Sequence, residues 1–220
     1  MFKNRTDAGK QLAYALRKYK KEKSLVLAIP RGGVEVGYQV ADFLQTEFSI
    51  IITRKLPYPD NPEAGFGAIA EDGSLYLLEE ASQWLSQEKI KKIIEEQTQE
   101  IHRRIHVLRK GRPLPELADT TVILVDDGIA MGSTMHAAVL VCQKKQAKHI
   151  VVAAPVADER VAEEFEQIVD DVVILEKPAP FYAVAQAYHQ WHDATDAEVL
   201  QWLEHNKKSN HFPITRSRSE

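Results

Sequence analysis

An α/β protein with a doubly wound parallel sheet is what the sequence predicts, and three observations carry that expectation. Short apolar runs recur without a polar face, as in strands buried on both sides: LVLAI at 25–29, TVILV at 121–125 and IVVAA at 150–154. Between them lie segments whose apolar residues repeat at helical spacing. Finally, 220 residues with 44% hydrophobic and 27% charged content suit one generous domain, not a collagen-like, low-complexity or wholly disordered chain.

The elements follow in order. Leu12, Leu16 and Tyr19 mark a first helix, capped by Thr6 or Asp7. The strand at 25–29 ends at Pro30-Arg31-Gly32-Gly33, and Gly37, Val40, Ala41 and Leu44 stripe the next helix. Residues 48–53 form a second buried strand. Residues 54–73, rich in Pro, Gly and charge, read as a lid or binding loop, or else as a disordered stretch. Within and beyond it, 68–70 and 74–77 pair as a small hairpin across Glu71-Asp72-Gly73.

A long helix spans 86–110, with Ile90, Ile94, Ile101, Ile105 and Leu108 on its stripe. Gln97 shares that stripe, which argues against core burial along its whole length. Arg103, Arg104, Arg109, Lys110 and Arg112 read as cations complementing the helix C-terminus. The strand at 121–125 precedes a helix marked by Met135, Ala138, Val139 and Cys142. The strand at 150–154, a helix with Val161, Phe165 and Ile168, and a strand at 172–175 complete the alternation. Such alternation implies a parallel sheet with helices on both faces. An aromatic, irregular segment at 177–192 and a helix at 196–204 close a single domain, 1–206, followed by a tail at 207–220 expected to be disordered.

Composition narrows the function classes. A net charge of -4 disfavours a dedicated nucleic-acid binder. Cys142 is the sole cysteine, so no intrachain disulfide forms, and its place on an apolar stripe suits a buried thiol. No apolar run is long enough for a bilayer, and the opening MFKNRTDAGKQL lacks the apolar core of a secretory signal; the expected location is the cytoplasm, with no membrane partner. His189 and His192 lack a metal-ligand pattern, and Trp84, Trp191 and Trp202 are expected simply to pack.

The chemistry concentrates in VILVDDGIAMGST, residues 122–134. A buried strand ends in Asp126 and Asp127; a small-residue loop with Gly128 and Gly132 then enters a helix through Ser133 and Thr134. Ligands of open α/β sheets bind beyond the carboxyl ends of strands. A small-residue loop at a helix start presents backbone N–H groups to an anion. Two carboxylates repel a bare phosphate, so the fitting ligand carries hydroxyls or a divalent ion as well. A ribose 5-phosphate unit has both parts. The order matches neither a P-loop nor G-x-G-x-x-G, and no later strand supplies the acceptor aspartate of a receiver domain. A plain helix cap on an ordinary turn is the bland alternative.

The string resembles the phosphoribosyl-pyrophosphate (PRPP) signature of type I phosphoribosyltransferases. IPRGGV at 29–34 resembles that family's pyrophosphate loop, where a cis peptide is frequent, with Pro30-Arg31 at about that place. RKLPYPDNPEAGFGAI is similar to its mobile hood loop (about 54–73), and PAPFYAVAQAYHQW to its C-terminal hood (about 177–204). The likeness covers roughly residues 2 to 204. It is strongest to bacterial members whose substrate is unassigned.

The resemblance implies a type I fold and transfer of ribose 5-phosphate from PRPP to a nitrogen nucleophile, a nucleobase or related heterocycle, in a homodimer. A non-catalytic PRPP- or nucleotide-binding regulator is the alternative. By resemblance, Asp126 and Asp127 hold the ribose hydroxyls, and Gly128, Ile129, Ala130, Met131, Gly132, Ser133 and Thr134 form the 5-phosphate loop. Arg31, Gly32 and Gly33 bind pyrophosphate, joined by Arg54 and Lys55 within the subunit or across a dimer interface. Glu63, Phe181 and Tyr182 are acceptor candidates. Mg²⁺ is held mainly by PRPP itself, near Asp126 and Asp127, with no dedicated protein cage. Met131 stands where the signature usually has Thr. Ala130 stands where purine-salvage members often carry an aspartate, which disfavours hypoxanthine and guanine.

Overall fold

The computed structural model describes residues 1–78 and 84–209. Helix α1 (Arg5–Ala15) leads through a 3-10 turn to β1 (Ser24–Ala28), and α2 (Gly33–Leu44) returns to β2 (Glu47–Ile50). An antiparallel excursion follows: β3 (Thr53–Tyr58), β4 (Asn61–Ala70) and β5 (Leu75–Leu77), then the long α3 (Gln87–Arg109). The chain resumes with β6 (Thr121–Val125), α4 (Ser133–Lys144), β7 (His149–Val156), α5 (Glu159–Glu166) and β8 (Asp171–Glu176), and α6 (Asp196–Ser209) is its last described element.

Parallel pairing joins five strands in the order β2-β1-β6-β7-β8. β1 and β6 are buried at every position, as continuous apolar runs require when helices cover both faces. Leu12 of α1, Leu16 just after it, and Val36, Val40 and Leu44 of α2 pack against Val26, Ile123 and Val151 on one face. Met135, Val139, Cys142 and Phe165 of α4 and α5 pack against Leu27, Leu124 and Val152 on the other. The strand order reverses between β1 and β6, so the loops leaving them diverge and open a crevice at their carboxyl ends.

Several expectations are corrected. The cap of α1 is Asn4, whose side chain accepts from the Asp7 backbone N–H, not Thr6 or Asp7. The hairpin across Glu71-Asp72-Gly73 exists, with Ala68 opposite Tyr76 and Ile69 opposite Leu75. It belongs, however, to a three-stranded sheet, β3-β4-β5, occupying most of the segment read as a loop. Pro57 sits at the register shift beside Leu56, and Pro59 in the turn between β3 and β4, where proline costs no ladder bond. The second strand, expected to be buried, is an edge strand buried only at Ile50, where it ends, and Thr53 already belongs to β3.

The cations at the end of α3 do more than complement its C-terminus: Arg103, Lys110 and Arg112 are exposed, but two others are not. Arg109 and Arg104 are buried, paired with Glu71 and Glu100, and Arg103 bridges Glu100 to Asp196. Ile168 is exposed, and Trp84, 85% exposed, does not pack as expected. The last helix runs to Ser209, past the expected start of the tail at 207, and residues 210–220 lie outside the described residues.

Candidate active site

The crevice is built from two strand ends. The Ile29 N–H donates to the Val125 carbonyl at 2.8 Å, keeping the two loops in step as they leave the sheet. The first loop turns through a cis Pro30–Arg31 peptide into Gly32 and Gly33 at the start of α2. The second begins with Asp126, whose Oδ1 accepts the Asp127 N–H at 2.8 Å. A β-carbon on residue 33 would lie 2.8 Å from both Asp126 Cα and the Val125 carbonyl oxygen, so the loops touch backbone to backbone.

After the acid pair, Ile129 is tied to the edge of β7: its N–H donates to Val156 O at 2.9 Å, and its carbonyl accepts from Asp158 N at 3.1 Å. Gly132 then adopts φ 72°, the left-handed region that glycine enters most easily, and turns the chain into α4. No side chain caps that helix. The N–H groups of its first turn have no partner within a helix, and the dipole adds partial positive charge. They open on a cleft of about 240 Å³ lined by Asp126, Gly128–Met135 and Val184, with Lys55 and Glu63 on its far wall. The Lys55 ammonium donates to the Glu63 carbonyl at 2.5 Å, which holds a cation beside the loop.

Burial, then repulsion from Asp127, pushes the Asp126 carboxyl well above the usual carboxylate range. Burial raises Asp127 too, against the opposing pull of Arg5. That arginine was missed in the sequence. It is only 5% exposed, and its Nε lies 2.7 Å from Asp127 Oδ2. The Tyr188 hydroxyl donates to the Asp127 carbonyl at 2.5 Å, so the acid is held from two sides. Val184, also missed, lies so close to Gly128 that a β-carbon there would be 2.4 Å from Val184 Cγ1. Arg5 belongs to no local motif that announces it, whereas Val184 lies within the hood segment at 178–191, whose aromatic residues draw attention away from it.

The residues singled out in the sequence divide into two groups. Asp126, the 128–134 loop, Lys55 and Glu63 share the cleft. Gly32 and Gly33 press on the acid pair from behind. Arg31 is exposed, with Nη1 3.9 Å from Asp196. Arg54 turns toward α3, where its Nε donates to Gln97 Oε1 at 3.0 Å, which accounts for the polar residue on that stripe. Burial, then the neighbouring Arg104, lowers the Arg54 pKa. Phe181 packs beside Phe2, Val184 and Tyr188, and Tyr182 is 84% exposed.

Cys142 is buried and its thiol is pushed up to about 12 by burial, as a structural cysteine would be. Among the described residues no cluster of three or more His, Cys, Asp or Glu is placed to hold a metal, and no helix is long and apolar enough to cross a membrane. The donor set here is one acid without a cation, Asp126, and one paired to Arg5. That suits a Mg²⁺ ion carried largely by ligand oxygens and water rather than a protein cage.

Comparison with known proteins agrees with this geometry. The family model described as "Phosphoribosyl transferase domain" matches residues 2–190. Two Mycobacterium tuberculosis proteins, MT0597 (strain CDC 1551 / Oshkosh) and Rv0571c (strain ATCC 25618 / H37Rv), have names that assign them provisionally to the phosphoribosyl transferases. Each is 36% identical over 206 residues, covering 93% of this chain and 46% of its own length. This chain thus spans about half the length of the curated relatives it matches. The crystal structure of TT1426 from Thermus thermophilus superposes with a TM-score of 0.77 at 35% identity, covering 92% of this chain and 97% of that one.

Proposed function

Because the chain belongs to the phosphoribosyl transferase family, we propose that it transfers ribose 5-phosphate from PRPP to a nitrogen nucleophile, with release of pyrophosphate. The observation that carries this reading is the juxtaposition of an uncapped helix N-terminus, entered through Gly132, with the Asp126 carboxylate in one cleft. An anion-binding end and a hydroxyl-accepting end side by side match a phosphorylated sugar better than an inorganic anion or a neutral sugar.

In this reading the amides of the 128–134 loop and the Ser133 and Thr134 hydroxyls take the 5-phosphate. Asp126 and Asp127 accept the ribose hydroxyls. The Gly32 and Gly33 backbone takes the pyrophosphate together with Arg31, Arg54 and Lys55; Lys55 already lines the cleft, and Arg54 would have to leave Gln97 to reach it. The C1–oxygen bond to pyrophosphate breaks with the electron pair leaving on oxygen, and the C1–nitrogen bond forms in its place. Little covalent chemistry falls to the protein, which positions both reactants, stabilises the developing charge and excludes water. Mg²⁺, bound with PRPP, would neutralise pyrophosphate charge. Glu63, Phe181 and Tyr182 remain the acceptor candidates, with Glu63 already in the cleft. A homodimer belongs to the same reading, and sedimentation tests it.

The test is thermal unfolding with PRPP, with and without Mg²⁺, beside an Asp126→Asn/Asp127→Asn variant, followed by pyrophosphate release across a panel of bases and amines. Ligand at about a hundred times its Kd stabilises a fold by roughly 2.7 kcal/mol, a visible shift in Tm. A shift lost in the variant is the expected result. No shift with PRPP would end this reading.

A further inference from the structure

Arg5 lies outside the cleft lining and outside every motif considered above, yet it is the most heavily engaged cation near the acid pair. Its Nε donates to Asp127 Oδ2 at 2.7 Å, its Nη1 donates to the His192 carbonyl at 2.9 Å, and its guanidinium carbon lies 4.0 Å from the centre of the Trp191 ring. Asp127 belongs to the proposed sugar site, whereas Trp191 and His192 belong to the C-terminal segment that flanks the crevice. One side chain therefore bonds to both.

Neighbouring contacts reinforce the link. The Tyr188 hydroxyl reaches the Asp127 carbonyl, and the Phe2 N–H donates to Ala187 O at 2.7 Å while its carbonyl accepts from His189 N at 2.9 Å. The N-terminal residues and the 187–192 segment thus close on Asp127 as a clasp, with Arg5 at its centre. A buried ion pair is weak evidence of a stabilising role, since apolar groups of similar volume often serve stability as well. What an apolar pair could not do is orient a carboxylate and dock a second segment on it at once. A guanidinium can, because its planar fork bonds in two directions and its face stacks on an aromatic ring.

We infer that Arg5 is a positioning residue: it orients the Asp127 carboxylate toward the ribose and docks the 187–192 segment on it, so that sugar-phosphate binding and closure of that segment are one coupled event. The inference deepens the proposed function and rests on it for the identity of the ligand. Coupling of this kind is reciprocal, so whatever loosens the segment weakens PRPP, and PRPP tightens the segment.

The experiment compares the intact chain with Arg5→Lys, Arg5→Gln and Trp191→Leu. Its two readouts are amide hydrogen exchange at 187–192 and PRPP affinity by calorimetry. Arg5→Gln is expected to speed exchange selectively at 187–192 without ligand and to weaken PRPP about tenfold or more, in the ordinary range of coupling between sites. Arg5→Lys keeps the charge beside Asp127 but loses the fork and the stacking face, so it is expected to recover only part of the protection and a matching part of the PRPP affinity. Trp191→Leu, at a half-exposed ring, keeps the fold if Arg5→Gln does not, and is expected to loosen the segment and weaken PRPP together. Unchanged exchange at 187–192, or PRPP affinity unchanged in variants whose segment has loosened, overturns the inference. An intact chain that binds no PRPP overturns the proposed function instead, and the ligand-free exchange still decides whether Arg5 docks the segment.

Discussion

Gly32 and the Asp127 carboxylate are in such close contact that a β-carbon on residue 32 would fall 1.8 Å from Asp127 Oδ2. Gly32 has ordinary helical angles, φ -61° and ψ -36°, so what demands glycine here is space and not backbone conformation. The neighbour cannot give way easily, because the same oxygen is held by Arg5. Gly32→Ala is therefore expected to displace Asp127 and to cost about 1–3 kcal/mol of stability, the usual range for overpacking a filled site. Thermal unfolding measures the stability loss, and PRPP calorimetry should show weakened binding. An alanine variant with wild-type Tm and wild-type affinity would mean that the loop relaxes freely.

Asp126 is a partly buried acid without a cation of its own, and its folded-state pKa is raised above the unfolded value of about 3.9. A raised acid favours the fold while it is protonated. That contribution is complete below the unfolded pKa and disappears as pH rises through the folded pKa. At neutral pH the charge is thus a burden, and Asp126→Asn, which keeps the oxygen that accepts the Asp127 N–H, should raise Tm. The difference from wild type should shrink as pH falls toward 4. The same variant should lose PRPP binding, a trade of stability for a charged site. A lower Tm at pH 7 would show that the carboxylate is better compensated than its surroundings indicate.

Legibility in the sequence followed the range of the interactions. β1, β6 and β7 were readable because burial on two faces leaves an unbroken apolar run, and the 128–134 loop because its whole chemistry lies in one stretch. β3 and β4 were not, since their prolines and glycines look like breakers until the bulge and turn that accommodate them are known. Arg5 and Asp127 are 122 positions apart, and Arg109 and Glu71 are 38 apart; an ion pair over such distances leaves no local pattern. Gln97 was visible as an anomaly, and its partner, Arg54, was not.

Glu71 and Arg109 form a buried pair that joins the end of β4 to the end of α3. Glu71 Oε1 also accepts the Ile52 N–H at 2.9 Å, and Arg109 Nη1 donates to Ile50 O at 3.2 Å, so the pair fastens the antiparallel sheet to the edge of the parallel one. Removing one partner strands the other as a buried charge, and Arg109→Met should cost roughly 3–5 kcal/mol. Glu71→Leu/Arg109→Met should cost less than the sum of the single changes, because neither charge is left alone. Chemical denaturation of the three variants measures this, and strict additivity would mean that the two side chains do not act as a pair.

Met131 presents a thioether where the family signature usually places a threonine, on the rim of the cleft and 55% exposed. Its exposure means that Met131→Thr should leave Tm nearly unchanged. The new hydroxyl would stand beside Gly132 and Ser133, among the donors assigned to the 5-phosphate. One added hydrogen bond to the charged phosphate is worth about 1.5–3 kcal/mol net, which is roughly a tenfold to hundredfold gain in PRPP affinity, less whatever solvent takes back at this exposed rim. The gain should become unreadable when Asp126→Asn is added, since that change alone is expected to lose PRPP binding. Calorimetry with PRPP and Mg²⁺ reads both effects. An affinity that does not rise would show that the phosphate lies against the backbone amides alone, beyond reach of residue 131.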